Sequence, residues 1–213
     1  MLKRKKSEEM KSTVFAVLFF LTSICVSTTQ ADIIFSRSGT DPLAGGNVTA
    51  QLGQTSSVFV WVSTAPAQTM TGISFNVRSS DVAIASGLSH TVQNPGPRFS
   101  TVQAGTVNAS GNMLNNHRAF YLPGITTGTG ISTGGLGNFV LHSELQFTAN
   151  SLGTTNLTFT PTTAGISFLG VGGNQWNNVV KGTGSITAVP EPSAALFLLV
   201  GGIGCVVSRR RRA

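Results

Sequence analysis

Residues 32–188 predict an all-β, antiparallel β-sandwich of the jelly-roll type, on three observations. Apolar and polar residues alternate with a period of two in several separate runs, the pattern of half-buried strands. Those runs recur at a spacing of roughly ten to fifteen residues, with Gly, Pro and Asn between them, as in sandwiches rather than βαβ units. No stretch of the body sustains a helical period.

Taken in order, the strand candidates begin with "NVTAQL", followed by "SVFVWVS", which is apolar on both faces like a central strand covered on both sides. In "ISFNVRSS", Ile73, Phe75 and Val77 share one face and Ser74, Asn76 and Arg78 the other. "VAIAS", "FSTVQAG" and "AFYL" come next. In "FVLHSELQF" the alternation places Phe139, Leu141, Leu145 and Phe147 on one face and His142, Glu144 and Gln146 on the other. "TNLTFTP", "ISFLG" and "GSITAV" complete the set. Three segments read as loops by composition, 111–118, 124–135 and 170–184.

Both ends differ from this body. The formal net charge is +7, yet nine of the 14 basic residues lie in the first eleven positions or at Arg209, Arg210, Arg211 and Arg212. Between the ends only Arg37, Arg78, Arg98, Arg118 and Lys181 stand against Asp32, Asp41, Asp81 and Glu144. A nearly neutral body argues against nucleic acid as a partner, since phosphate binding needs clustered cations.

Residues 1–31 read as a signal peptide for Sec-type export: a basic start, the 13-residue apolar run Val14 to Val26, and small residues before a cut after Ala31. The two cysteines, Cys25 and Cys205, lie in the terminal segments. The body therefore has no disulfide, thiolate metal site or cysteine nucleophile, and it must hold together by burial. Residues 189–213 divide into the motif 189–192, an apolar helix over 194–207 and a basic tail at 209–212. A 14-residue helix is about 21 Å long against a hydrocarbon core of about 30 Å, short for a settled membrane span. By the positive-inside tendency the arginines would stay on the cytoplasmic side of a membrane and leave the body across it.

"VPEP", an apolar helix and "SRRRR", in that order at the C-terminus, resemble the PEP-CTERM sorting signals of bacteria. The resemblance implies that Pro190, Glu191 and Pro192 are read by an exosortase after transient insertion in the inner membrane. It further implies delivery to the cell surface or extracellular matrix of a Gram-negative-type bacterium. The body resembles the cohesin-like β-sandwiches, which are related to some carbohydrate-binding modules. The likeness is carried by "NVTAQLGQTSSVFVWVS", the "TGISFNV" strand followed by Asp81, a late Gly-Gly turn, and the turn Gly153 to Thr155 before "NLTFT". Where that family shows an aromatic or aliphatic residue beside the aspartate, this chain has "RSSD". The resemblance implies a cohesin-like fold and, as one alternative, a dockerin-type protein partner.

The body offers no catalytic constellation, cofactor motif or metal-ligand spacing. Asp81 and Glu144 read as solvated turn and strand residues, and His142 beside Glu144 as an exposed pair on one strand face. There is no GxSxG elbow, calcium loop, P-loop or dinucleotide fingerprint. The recognition candidate is Trp176, flanked by Asn174 and Asn177, an aromatic plate with amides suited to a sugar; its competing role is to plug one end of the sandwich. Trp61 reads as core. The expectation is an exported, non-catalytic structural or adhesive surface protein. The alternatives are an exopolysaccharide-binding module and a dockerin-binding module.

Overall fold

The computed structural model describes residues 31–192, apart from 65–68, 94–98, 110, 126–130, 133–137, 163–167, 171–174, 176 and 178. Its strands are β1 (Ala31–Ser36), β2 (Asn47–Gln51), β3 (Thr55–Thr64), β4 (Met70–Ser79), β5 (Ala85–Val92), β6 (Phe99–Gln103) and β7 (Thr106–Val107). They continue with β8 (Leu114–Ile125), β9 (Ile131–Ser132), β10 (Asn138–Ala149), β11 (Gly153–Thr160), β12 (Phe168–Gly170), β13 (Val179–Lys181) and β14 (Thr183–Val189). One sheet runs β13-β1-β3-β10-β5, with β9 on β10; the other runs β2-β14-β11-β4-β8-β6, with β12 on β4 and β7 on β8.

The sandwich is as expected, but its pairing is not wholly antiparallel. β1 pairs parallel with β13 and β2 parallel with β14, so the first two strands each lie beside one of the last two. The predicted strands appear at the "NVTAQ", "VFVWV", "ISFNV", "NLTFT" and "SITAV" runs. "VAIAS" is largely turn, and its strand instead runs on through "GLSHTV". The Asn-rich 111–118 segment, expected as loop, holds the start of β8.

The core lies between the sheets: Ile33, Phe35, Val58, Val60, Val62, Leu145 and Phe147 from one meet Ile73, Phe75, Val77, Leu157, Phe159 and Ile186 from the other. A row of rings crosses it. Phe35 stacks on Phe159 at 3.9 Å, and Phe159 meets Phe75 edge-on at 5.4 Å. Phe75 then touches the rings of His117 and His142. Offset and edge-on contacts of this kind add to the area each ring buries.

β3 is the central strand that its two-sided apolarity predicts, between β1 and β10. Val58, Val60 and Val62 face the core; Trp61, on the opposite face, is buried outside the core cluster. Its indole Nε1 donates to the carbonyl of Ser38 at 3.0 Å, and Gly39 lies against the ring of neighbouring Phe59, so the β1–β2 loop covers this outer face. That loop is tied back by Ser36 Oγ, which donates to the Asp41 carbonyl at 2.6 Å.

Irregularities in the ladders matter more than the regular pairing. β10 shifts register against β3 between Leu141 and Ser143, and β5 shifts against β10 between Gln146 and Phe147. β8 shifts against β4 where Phe75 and Val77 face His117 and Leu114, and there Asn116 takes φ +56°. Each shift places an extra residue on one strand and changes which face follows it. The exposed edge of β5 is closed by a side chain: Asn108, at φ +55°, accepts from the Gly87 amide at 2.8 Å and donates to its carbonyl. One asparagine thereby pairs an otherwise open strand edge.

Candidate functional sites

The C-terminal motif is the first candidate. Val189 ends β14, in parallel register with Gln51, and its carbonyl accepts from the Leu52 amide at 2.9 Å. Pro190 has no amide hydrogen to extend the ladder, and the strand stops there. Pro190, Glu191 and Pro192 follow as exposed chain beside a fixed strand end. The apolar segment 194–207, Arg209 to Arg212 and the signal segment up to residue 30 lie outside the described residues. Ala31 is buried at the start of β1, where it pairs with Thr64 and Val179.

Trp176 and Asn174, the suggested glycan contacts, lie outside the described residues. Asn177 and its neighbour Gln175 are exposed just ahead of β13, and Gln175 forms a bridge to Leu169. The "RSSD" turn has a defined role in the fold. Thr155, buried in β11, hydrogen-bonds Ser79 Oγ at 2.6 Å, and its Oγ1 accepts from the Asp81 amide at 2.8 Å. Asp81 Oδ1 then accepts from the Ala83 amide at 2.9 Å. Glu144 accepts from Ser57 Oγ at 2.6 Å on the outer face. The two carboxylates are thus held by different partners.

The histidines are a site that the alternation hid. His142 does not share an exposed face with Glu144. The register shift in β10 turns His142 and Ser143 into the sandwich, 1% and 0% exposed, while Glu144 faces out. His117, 0% exposed, comes from β8 in the other sheet, where it is paired with Phe75. His90 comes from edge strand β5, opposite Leu145. All three of the chain's histidines meet at one corner.

The hydrogen bonds settle the tautomers, because a carbonyl can only accept. The Ala104 carbonyl lies 2.6 Å from His90 Nδ1 and 3.3 Å from His117 Nδ1, so both Nδ1 atoms carry hydrogen. Neutral His117 therefore has a bare Nε2, which accepts the Nε2–H of His142 at 2.8 Å. The bare Nε2 of His90 is buried without a hydrogen-bond partner, as is Ser143 Oγ.

Burial lowers the pKa of all three rings. Burial, then the neighbouring His90, brings His117 down to about 3 even though backbone hydrogen bonds act in the opposite direction. His142 is pushed well below the ordinary range by burial, then by His117 and His90. At neutral pH the cluster is uncharged. Among the described residues no three His, Cys, Asp or Glu are placed to hold one metal ion.

No family model matches this chain, and no curated protein matches it. Solved structures do. The cohesin module of a Clostridium perfringens family 33 glycoside hydrolase superposes with a TM-score of 0.51 at 10% identity, over 77% of this chain and 100% of that one. The non-cellulosomal cohesin from the archaeon Archaeoglobus fulgidus gives 0.49 at 14% identity, over 78% and 96%. The seventh ScaB type I cohesin of Pseudobacteroides cellulosolvens gives 0.47 at 13%, over 77% and 95%. The chain has a cohesin-like β-sandwich fold.

Proposed function

We propose that this chain is an exported cohesin-like module that holds a protein partner at the cell surface and performs no catalysis. The observation that supports this reading best is the sandwich shared with a cohesin module over 77% of the chain. A fold alone does not fix a function, but here it agrees with the sequence resemblance, which implies a dockerin-type partner. The protein-partner reading thereby moves ahead of a purely structural or adhesive role.

The ends supply delivery in this proposal. A signal peptide ending at Ala31 takes the body across the inner membrane, and the tail holds it there until an exosortase reads Pro190, Glu191 and Pro192. The exposed placement of that motif, directly after the fixed end of β14, fits access by a membrane enzyme. Glu191→Ala in the native host is expected to leave a membrane-held species that retains Arg209 to Arg212, seen by intact mass. Equal processing of wild type and variant would remove the motif from the account.

The carbohydrate reading makes a different prediction for the body. Binding across a broad panel of polysaccharides, lost in Trp176→Ala, would replace the protein-partner reading with a lectin.

A further inference from the structure

The histidine cluster lies at the corner where β5, an edge of one sheet, meets the 104–107 segment that follows β6, an edge of the other. Its central bond, His117 Nε2 to His142 Nε2, runs from sheet to sheet. The Ala104 carbonyl holds His90 and His117 at once and so joins β5 to β8 through the same corner. Gly105, at φ +89°, brings this segment so close to β8 that a Cβ would stand 2.7 Å from the Asn115 carbonyl.

The charged surroundings are sparse. From β4 the cluster meets Phe75, and from β5 only His90. On β10 Glu144 faces away, bonded to Ser57, and on β8 Arg118 follows His117 on the opposite face, paired with Ser74. Asp32 is engaged by Ser63, Asp41 by the Leu43 amide and Asp81 by the Ala83 amide. None of these carboxylates is a partner of an imidazolium at the cluster.

We propose that His90, His117 and His142 form an acid-opened latch: proton uptake breaks the imidazole link between the sheets and frees β5 with the 104–107 segment, while the Phe35–Phe159 side stays closed. His90 is the entry point: its ring is half-buried on an edge strand, and its bare Nε2, buried while the corner is closed, takes the proton as β5 moves. A proton on Nε2 of His117 makes that atom a donor facing the N–H of His142, so the 2.8 Å bond is lost unless His142 moves its own hydrogen to Nδ1, and in either case a charge is left in a buried corner. The neutral cluster needs no counter-charge, and among the described residues no carboxylate acts on the pKa of any of the three rings.

The sign follows from linkage. In the opened state the imidazoles regain their ordinary affinity near 6.5, whereas in the closed state it is lowered, for His117 to about 3. The opened state therefore binds more protons throughout that window. The closed corner is unaffected above about pH 6.5 and loses stability as pH falls toward 3, by up to about tenfold in its opening equilibrium per pH unit per proton.

The test is amide hydrogen exchange on the purified exported protein at pH 7.5 and pH 4.5, corrected for intrinsic rates. Protection at β5 and residues 104–107 is expected to fall at least about tenfold more than at β3 and β14. In His90→Gln, a rim substitution that spares the buried pair, that difference shrinks by about tenfold because one proton fewer drives the opening. Histidine ring NMR of the wild type checks the same step without any substitution: the ring signals titrate together with the opening. A uniform loss of protection, or an unchanged difference in His90→Gln, would overturn the latch. So would one equivalent of Zn²⁺ bound at pH 7.5 and released by His90→Gln, which would make the cluster a metal centre instead.

Discussion

Phe75→Ala is expected to destabilise the sandwich by about 3–5 kcal/mol, the range for removing a buried aromatic ring. Phe75 is 1% exposed and is the joint of the ring row, with Phe159 on one side and His117 and His142 on the other. Its loss leaves a void between two sheets whose strands hold the surrounding backbone in place, so the cavity can collapse only in part. Phe75→Leu keeps most of the volume and should cost about 1–1.5 kcal/mol. Val82→Ala, at a 44% exposed turn residue, should stay within about 0.5 kcal/mol of wild type. Urea unfolding at pH 8, where all three histidines are neutral, gives the comparison without the acid effect. Equal midpoints for Phe75→Ala and Val82→Ala would contradict the described core.

Gly105→Val should be of similar size, about 3 kcal/mol or more, for two separate reasons. The backbone there has φ +89°, which β-branched residues adopt only under strain. A Cβ would also stand 2.7 Å from the Asn115 carbonyl and 3.1 Å from the His117 amide, both backbone atoms that cannot rotate away. Relief requires the 104–107 segment to move from β8, which takes the Ala104 carbonyl away from both His90 and His117. The variant should therefore show lower stability by urea unfolding and, independently, histidine ring signals that titrate nearer pH 6.5. Gly53→Ala offers the contrast: φ is +77° but nothing lies within 4 Å, so only the backbone strain applies.

The strand pattern made the sandwich legible because burial on one face leaves a period of two in the residues. It was least informative where the chain departs from that period. Phe139, Leu141, Leu145 and Phe147 are all an even number of residues apart, so one unbroken strand would place them on one face. The extra residue in β10 reverses the faces instead: Phe139 and Leu141 stand opposite Ser63 and Trp61, and Leu145 stands opposite core residue Val58. Apolar residues on both sides of the shift hid it, because the outer face here is covered as well. His142 was misassigned for that reason, and with it the convergence of three histidines from distant parts of the chain. The start of β8 was obscured by its asparagines, which read as loop although left-handed Asn116 sits at the register shift against β4. Pro190 to Pro192 are exposed beyond the end of β14, and their reading as a sorting motif rests on sequence order alone.

The partner decides the central claim most directly. Isothermal titration of the protein with a dockerin-bearing protein from the same genome should show saturable one-to-one binding, with a dissociation constant of about 1 µM or tighter, near −8 kcal/mol. No heat with any such protein, alongside polysaccharide binding that Trp176→Ala abolishes, would contradict it.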